Sequence, residues 1–136
     1  MTMTKILFIE DEDFLRSLFS EALSLDTTRK YEILKAQDLI SGLDVAKISK
    51  PDAIILDLVL PTNKAAGNED LSEERGFEFL EKIKSDSELK NIPIVVFSNL
   101  SEPNIKDRAL KSGATEYLVK VETMPQEFLE TIQKVL

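Results

Sequence analysis

Pro51-Asp52-Ala53-Ile54-Ile55-Leu56-Asp57-Leu58-Val59-Leu60-Pro61 is the stretch on which the fold turns. Its apolar run, Ala53–Leu56, is bracketed by prolines, too short for a helix and free of polar interruption, which describes a strand buried on both faces. Similar runs occur at Ile6–Ile9, Ile94–Phe97 and Tyr117–Val119, and a weaker one at Tyr31–Ala36. Amphipathic stretches with helical spacing lie between them: Phe14, Leu15, Leu18, Phe19, Ala22 and Leu23; then Leu39, Leu43 and Ala46; then Phe77, Leu80 and Ile83; then Phe128, Leu129, Ile132 and Val135. Ile105, Ala109 and Leu110 make the least apolar helix candidate. Regular alternation of strand and helix predicts an α/β fold, a doubly wound parallel sheet of five strands with helices on both faces.

The punctuation agrees. Asp38 is placed to N-cap the second helix, Pro51-Asp52 to end it, and Ser101 to cap the fourth. Gly113 stands where a helix C′ residue belongs. Thr123 and Gln126 have the spacing of a capping box for the last helix, with Pro125 in its first turn. One connection breaks the rhythm. Residues 62–75 are polar, with Glu69, Asp70, Glu73 and Glu74. The whole of 1–136 reads as one domain carrying this insert.

Composition excludes several chemistries. The 136 residues contain no cysteine and no histidine, so disulfides, thiolate metal sites, Ser-His-Asp triads and a histidine phosphocarrier are ruled out. A formal net charge of −8 disfavours non-specific binding to nucleic acid or to an anionic membrane. No apolar run is long enough to span a bilayer and the N-terminus has no signal-peptide core, so a cytoplasmic location is expected. What remains is chemistry by carboxylates, lysines, hydroxyls or an oxygen-bound metal.

In an open parallel sheet, ligands collect beyond the carboxyl ends of the strands. The first strand is followed there by Glu10, Asp11, Glu12 and Asp13, the third by Asp57, the fourth by Ser98-Asn99 and the fifth by Lys120. Clustered carboxylates must protonate or bind a cation, and an oxygen-only set suits Mg²⁺. A carboxylate such as Asp57 is also a competent phosphoryl nucleophile without a general base. Lys120 suits phosphoryl oxygens as a point charge and Ser98 as a hydrogen-bond donor. Each residue alone has a plainer reading: the acids as helix caps and dipole partners, Lys120 as a surface residue. Their joint position at four strand ends favours metal-assisted phosphoryl chemistry.

At these motifs the chain resembles the receiver domain of bacterial two-component response regulators. The resemblance runs from about Lys5 to Leu136, through Ile6–Asp11, Pro51–Pro61, Gly76–Leu80, Ile92–Ser98 and Gly113–Lys120. It implies a flavodoxin-like sheet in the order 2-1-3-4-5. It also implies that Asp57 is the phosphoacceptor, that Asp11 is a direct Mg²⁺ ligand with Glu10 acting through water, and that the carbonyl of Val59 completes the protein ligands. Ser98 then matches the switch hydroxyl, Tyr117 the switch aromatic and Lys120 the phosphoryl-binding lysine. The expected donor is a phosphohistidine on a sensor histidine kinase or histidine phosphotransfer protein, with small acyl phosphates as substitutes. The output is expected through an unidentified downstream protein, from a monomer or weak dimer, with no enzyme activity beyond self-catalysed phosphorylation and dephosphorylation.

The chain departs from the family pattern in three places: Val121 follows Lys120 where a proline after a cis bond is usual, Asn99 replaces a very small residue, and the insert separates Pro61 from Gly76. A non-proline cis bond costs about 2.5–4 kcal/mol, so a different loop shape is expected at Lys120. The insert is expected either as a tolerated surface loop or as a flap whose acids alter kinase access, metal affinity or phosphoryl lifetime. Three other assignments compete. A degenerate receiver would serve as a phosphorylation-independent adaptor. A haloacid-dehalogenase-type phosphatase needs a second carboxylate where Val59 stands. A flavodoxin-type FMN protein needs a phosphate loop after the first strand, where the acids are.

Overall fold

The computed structural model describes residues 3–67 and 71–136. Five strands, β1 (Met3–Ile9), β2 (Lys30–Ala36), β3 (Ala53–Leu56), β4 (Ile94–Ser98) and β5 (Glu116–Val119), alternate with five helices. These are α1 (Asp13–Leu23), α2 (Leu39–Ser49), α3 (Glu74–Lys84), α4 (Pro103–Lys111) and α5 (Pro125–Val135). The sheet is parallel throughout and ordered β2-β1-β3-β4-β5, the flavodoxin-like arrangement expected. No helix among the described residues is long and apolar enough to cross a membrane.

Strand pleat sorts the core into two layers. Ile6, Phe8, Ile55, Val95, Phe97 and Leu118 point towards α1 and α5. Their alternates Leu7, Ile9, Ile54, Leu56, Ile94 and Val96 face α2, α3 and α4. Phe8, Phe19, Phe97 and Phe128 form an aromatic knot in the first layer, with Phe19 and Phe97 edge-on at 4.7 Å between centroids. Phe97, a member of that knot, directly precedes Ser98, so the end of β4 rests on close aromatic packing.

Several local expectations change. Phe14 and Leu18 are exposed, while Arg16 is buried, because Arg16 bonds to the loop above it. Asp38 does cap α2 through Ser41 N–H (2.7 Å), and the helix closes on Lys50 in the left-handed conformation (φ 45°) rather than on Pro51 itself. Gly113, at φ 112°, follows the α4 cap Ser112 as the C′ glycine expected. Ser101 does not cap α4, whose N-cap residue is Glu102 ahead of Pro103. The capping box at α5 does not form. The N-cap residue is Met124, and Thr123 Oγ1 turns back to donate to the Val119 carbonyl at 2.7 Å.

The insert is anchored where it begins. Its start is pinned to α2 by Leu39 N–H to the Pro61 carbonyl (3.0 Å) and Ile40 N–H to the Thr62 carbonyl (3.1 Å). A 3₁₀ turn, Lys64–Ala66, follows, and Glu73 and Glu74 belong to the start of α3. Glu69 and Asp70 lie outside the described residues.

Candidate functional site at the carboxyl edge of the sheet

The ladder brings the strand ends into line. Ile9 pairs with Leu56 and Leu56 with Val96, while Asp57 N–H donates to the Ile9 carbonyl at 3.0 Å. Glu10 N–H donates in turn to the Ala36 carbonyl at 3.0 Å. Glu10 and Asp57 are thus fixed side by side, one step past their strands. A cleft of about 270 Å³ opens above them, lined by Glu10, Asp11, Asp57, Val59, Ser98 and Lys120 among others. Glu10, Asp11, Asp57, Val59, Ser98 and Lys120, the residues given site roles by the family resemblance, all line this one cleft; Tyr117 does not.

Lys120 is the hub. Its Nζ lies 2.5 Å from Glu10 Oε1 and 3.0 Å from Asp57 Oδ2, and all three side chains are at least nine-tenths buried. The ammonium also stands 5.8 Å from the centre of the Phe97 ring. Lys120 opens a 3₁₀ turn, Lys120–Glu122, and no cis peptide occurs among the described residues. A different loop shape therefore presents the lysine, as expected, and throws Val121 out to 81% exposure.

Asp57 pays little for its backbone placement but much for its charge. Burial pushes its carboxyl from 3.8 up to about 6; Lys120 opposes the rise and Glu10 adds to it. Lys120 responds to the same pair. Burial works against its charge, but Asp57 and Glu10 together hold the ammonium above its usual range. Asp57 Oδ1 accepts a long bond, 3.2 Å, from Val59 N–H, and Asp57 lines the cleft.

Ser98 is fully buried at the end of β4, and its Oγ accepts from Leu100 N–H at 3.2 Å. Tyr117 lies inward already. It is 7% exposed and its hydroxyl donates to the Leu100 carbonyl at 2.6 Å. The two candidate switch residues therefore meet at the β4–α4 loop. Asn99 is exposed on the rim of the cleft.

Three contributors escape a reading of the sequence. Arg16 donates to the Glu10 carbonyl at 2.6 Å and pairs with Asp13, which clamps the acidic loop. Lys64, from the insert, reaches Asp11, with Nζ 2.8 Å from Oδ1 and 2.9 Å from the carbonyl. Leu71, on the far side of the insert, lines the cleft. Position relative to Glu10 in sequence carries no signal for Arg16. For Lys64 the only signal is that it is the one base among the insert's acids ahead of α3's first turn.

The donor set fits Mg²⁺. Glu10, Asp11 and Asp57 offer carboxylate oxygens and Val59 a peptide carbonyl around a single cleft. Among the described residues no three acids converge into a ready-made cage, so a metal there would take its remaining ligands from water. Glu10 Oε1 and Asp11 Oδ1 are shielded from solvent and face lysines without a well-angled hydrogen bond, so both retain capacity for a stronger cation.

Comparison with known proteins agrees with this geometry. The sequence profile of the response regulator receiver domain matches residues 6–133. The KDP operon transcriptional regulatory protein KdpE of Escherichia coli (strain K12) is 37% identical over 118 residues, 87% of this chain; the chain spans only 45% of that relative's length. Among solved structures, the chemotaxis response regulator CheY4 of Vibrio cholerae superposes with a TM-score of 0.77 at 30% identity, covering 99% of this chain and 100% of that one. The phosphorylated cyanobacterial phytochrome response regulator RcpA gives 0.76 at 29% identity, over 98% and 93% of the two chains. By its matched profile, its strand order and its strand-end residues, the chain belongs to the response regulator receiver domain family.

Proposed function

We propose that this chain is a phosphoacceptor in a two-component relay, with Asp57 receiving the phosphoryl group. The observation that carries the reading is the buried Glu10–Lys120–Asp57 arrangement at the floor of the cleft that Asp57 lines. A carboxylate with a midpoint near 6 is largely ionised at neutral pH, so no base has to remove a proton. In the transfer, the P–N bond of a phosphohistidine, or the P–O bond of an acyl phosphate, breaks as the Asp57 O–P bond forms. Lys120 neutralises charge on the transferred oxygens, and Ser98 is placed to donate a hydrogen bond to one of them once its contact with Leu100 is released.

Glu10, Asp11, Asp57 and the Val59 carbonyl would hold Mg²⁺. When bound, the metal supplies charge neutralisation and orientation of the phosphoryl oxygens. The donor is a sensor histidine kinase or a histidine phosphotransfer protein, which sets the location as cytoplasmic. The chain modifies only itself and turns over no separate substrate. Departure of Ser98 from the β4–α4 loop would loosen Tyr117 and Leu100 together, altering the α4–β5–α5 surface offered to a downstream protein.

The test is intact mass after incubation with acetyl phosphate, with and without Mg²⁺, beside Asp57→Asn. A Mg²⁺-dependent gain of one phosphoryl group, absent from the variant, is expected. No gain, together with no beryllofluoride binding, would leave the phosphorylation-independent adaptor instead.

A further inference from the structure

We propose that Lys64 is a tethered cation that occupies the Asp11 end of the metal site and competes there with Mg²⁺, so that the insert lowers the metal affinity. The inference rests on the phosphoacceptor reading and adds a determinant to it.

Two independent observations carry it. The first is the contact itself. Lys64 Nζ lies 2.8 Å from Asp11 Oδ1 and 2.9 Å from the Asp11 carbonyl, so one ammonium holds a carboxylate oxygen and the backbone oxygen of a residue expected to bind the metal. The second is that the lysine is delivered rather than free to wander. Its own backbone N–H donates to Asp38 Oδ2 at 2.9 Å, and Asp38 is buried beneath the start of α2. The other oxygen of Asp38 caps α2 through Ser41, and the Pro61 and Thr62 carbonyls accept from the next two amides of that helix. The chain ahead of Lys64 is therefore fastened to the scaffold at three successive points. The tether leaves the side chain only its own rotamers, with Asp11 within reach.

The chemistry then follows from charge. An ammonium 2.8 Å from Asp11 Oδ1 offsets the carboxylate's charge and repels a divalent cation approaching it. Lys120 is shared by Glu10 and Asp57, and Lys64 answers Asp11. In the metal-free protein this relieves repulsion among the acids. In the metal-bound protein it opposes binding. Lys64→Gln removes the competitor and leaves the backbone tether to Asp38 intact.

Mg²⁺ is titrated calorimetrically into the wild-type chain, Lys64→Gln, Asp11→Asn and the double variant, with melting in EDTA to verify folding. Lys64→Gln is expected to bind Mg²⁺ about three- to tenfold more tightly, and Lys64→Arg to resemble the wild type. In the Asp11→Asn background the same change should have a much smaller effect, because the contested carboxylate charge is gone. If wild type and Lys64→Gln bind equally while Asp11→Asn binds weakly, the metal site stands and the inference falls. If neither binds Mg²⁺, the metal-assisted reading fails and takes the inference with it. Tight binding by Lys64→Gln alone supports both.

Discussion

Asp57→Asn should make the metal-free protein more stable at neutral pH. The carboxyl at 57 is buried, and its midpoint moves from 3.8 in an ordinary environment up to about 6 in the fold. The raised value means that the native state holds its proton more tightly than the unfolded chain does. Between about pH 4 and pH 6 the native state therefore binds more protons, and stability falls as pH rises through that window. Above it, the cost of keeping Asp57 ionised is constant. At about 1.4 kcal/mol per pH unit, a displacement of about two units amounts to roughly 3 kcal/mol.

Asparagine does not carry that cost. Its amide oxygen still accepts from Lys120, and Lys120 keeps its 2.5 Å contact with Glu10. Some of the attraction to the ammonium is lost, so the net gain at pH 7.5 is expected to be about 1–2 kcal/mol. In thermal unfolding this is about 3–8 °C. Urea titrations of both proteins in EDTA, at pH 7.5 and pH 4, measure it. The gain should be present at pH 7.5 and shrink towards zero at pH 4, where wild-type Asp57 is protonated. A variant less stable than the wild type at pH 7.5, or a gain indifferent to pH, would refute the account of a strained, ionised Asp57. Added Mg²⁺ should reverse the order, because it stabilises only the chain that retains its ligands.

Lys120→Met should be destabilising by about 3–5 kcal/mol, since it leaves Glu10 and Asp57 buried side by side without their shared cation, and urea unfolding reads it directly. Gly76→Ala should cost about 1–3 kcal/mol and slow phosphorylation by acetyl phosphate: a Cβ there would stand 2.4 Å from the Leu58 Cα, forcing the segment next to Asp57 to move. Tyr117→Phe should cost about 1 kcal/mol by losing the bond to the Leu100 carbonyl, with amide shifts in NMR confined largely to the β4–α4 loop and α4.

The strands were legible because burial on both faces writes them as unbroken apolar runs, and the run ends then named Glu10, Asp57, Ser98 and Lys120 directly. What pattern could not supply was anything decided by contacts distant in sequence. Met3, Thr4 and Lys5 extend β1 because their partners in β2 do, not because they are apolar. Arg16 interrupts the apolar stripe of α1 and yet is buried, since the Glu10 carbonyl above it needs a donor. Thr123 has capping-box spacing but spends its hydroxyl on the Val119 carbonyl, because Lys120–Glu122 winds into a 3₁₀ turn that brings the two together. In the insert, the acids drew notice by number, whereas Lys64 matters through where the backbone delivers it.

The same insert is fastened at its other end. Glu74, in the first turn of α3, accepts from both terminal nitrogens of Arg108 on α4, at 2.8 and 3.2 Å. The Arg108 guanidinium lies 3.7 Å over the Phe77 ring as well, so the fork is oriented by stacking and not by charge alone. The segment that carries Lys64 to Asp11 thus continues into the helix that holds α4, the element beside Ser98 and Tyr117. Electrostatics gives this arrangement a direction. Without metal, Glu10, Asp11 and Asp57 each have a lysine contact. Entry of a divalent cation makes Lys64 surplus, and formation of an aspartyl phosphate restores negative charge that a displaced lysine can answer. A surface insert built only to be tolerated has no reason to be secured at α2, at Asp11 and at α4 together; one that adjusts the charge of the cleft has a use for all three anchors.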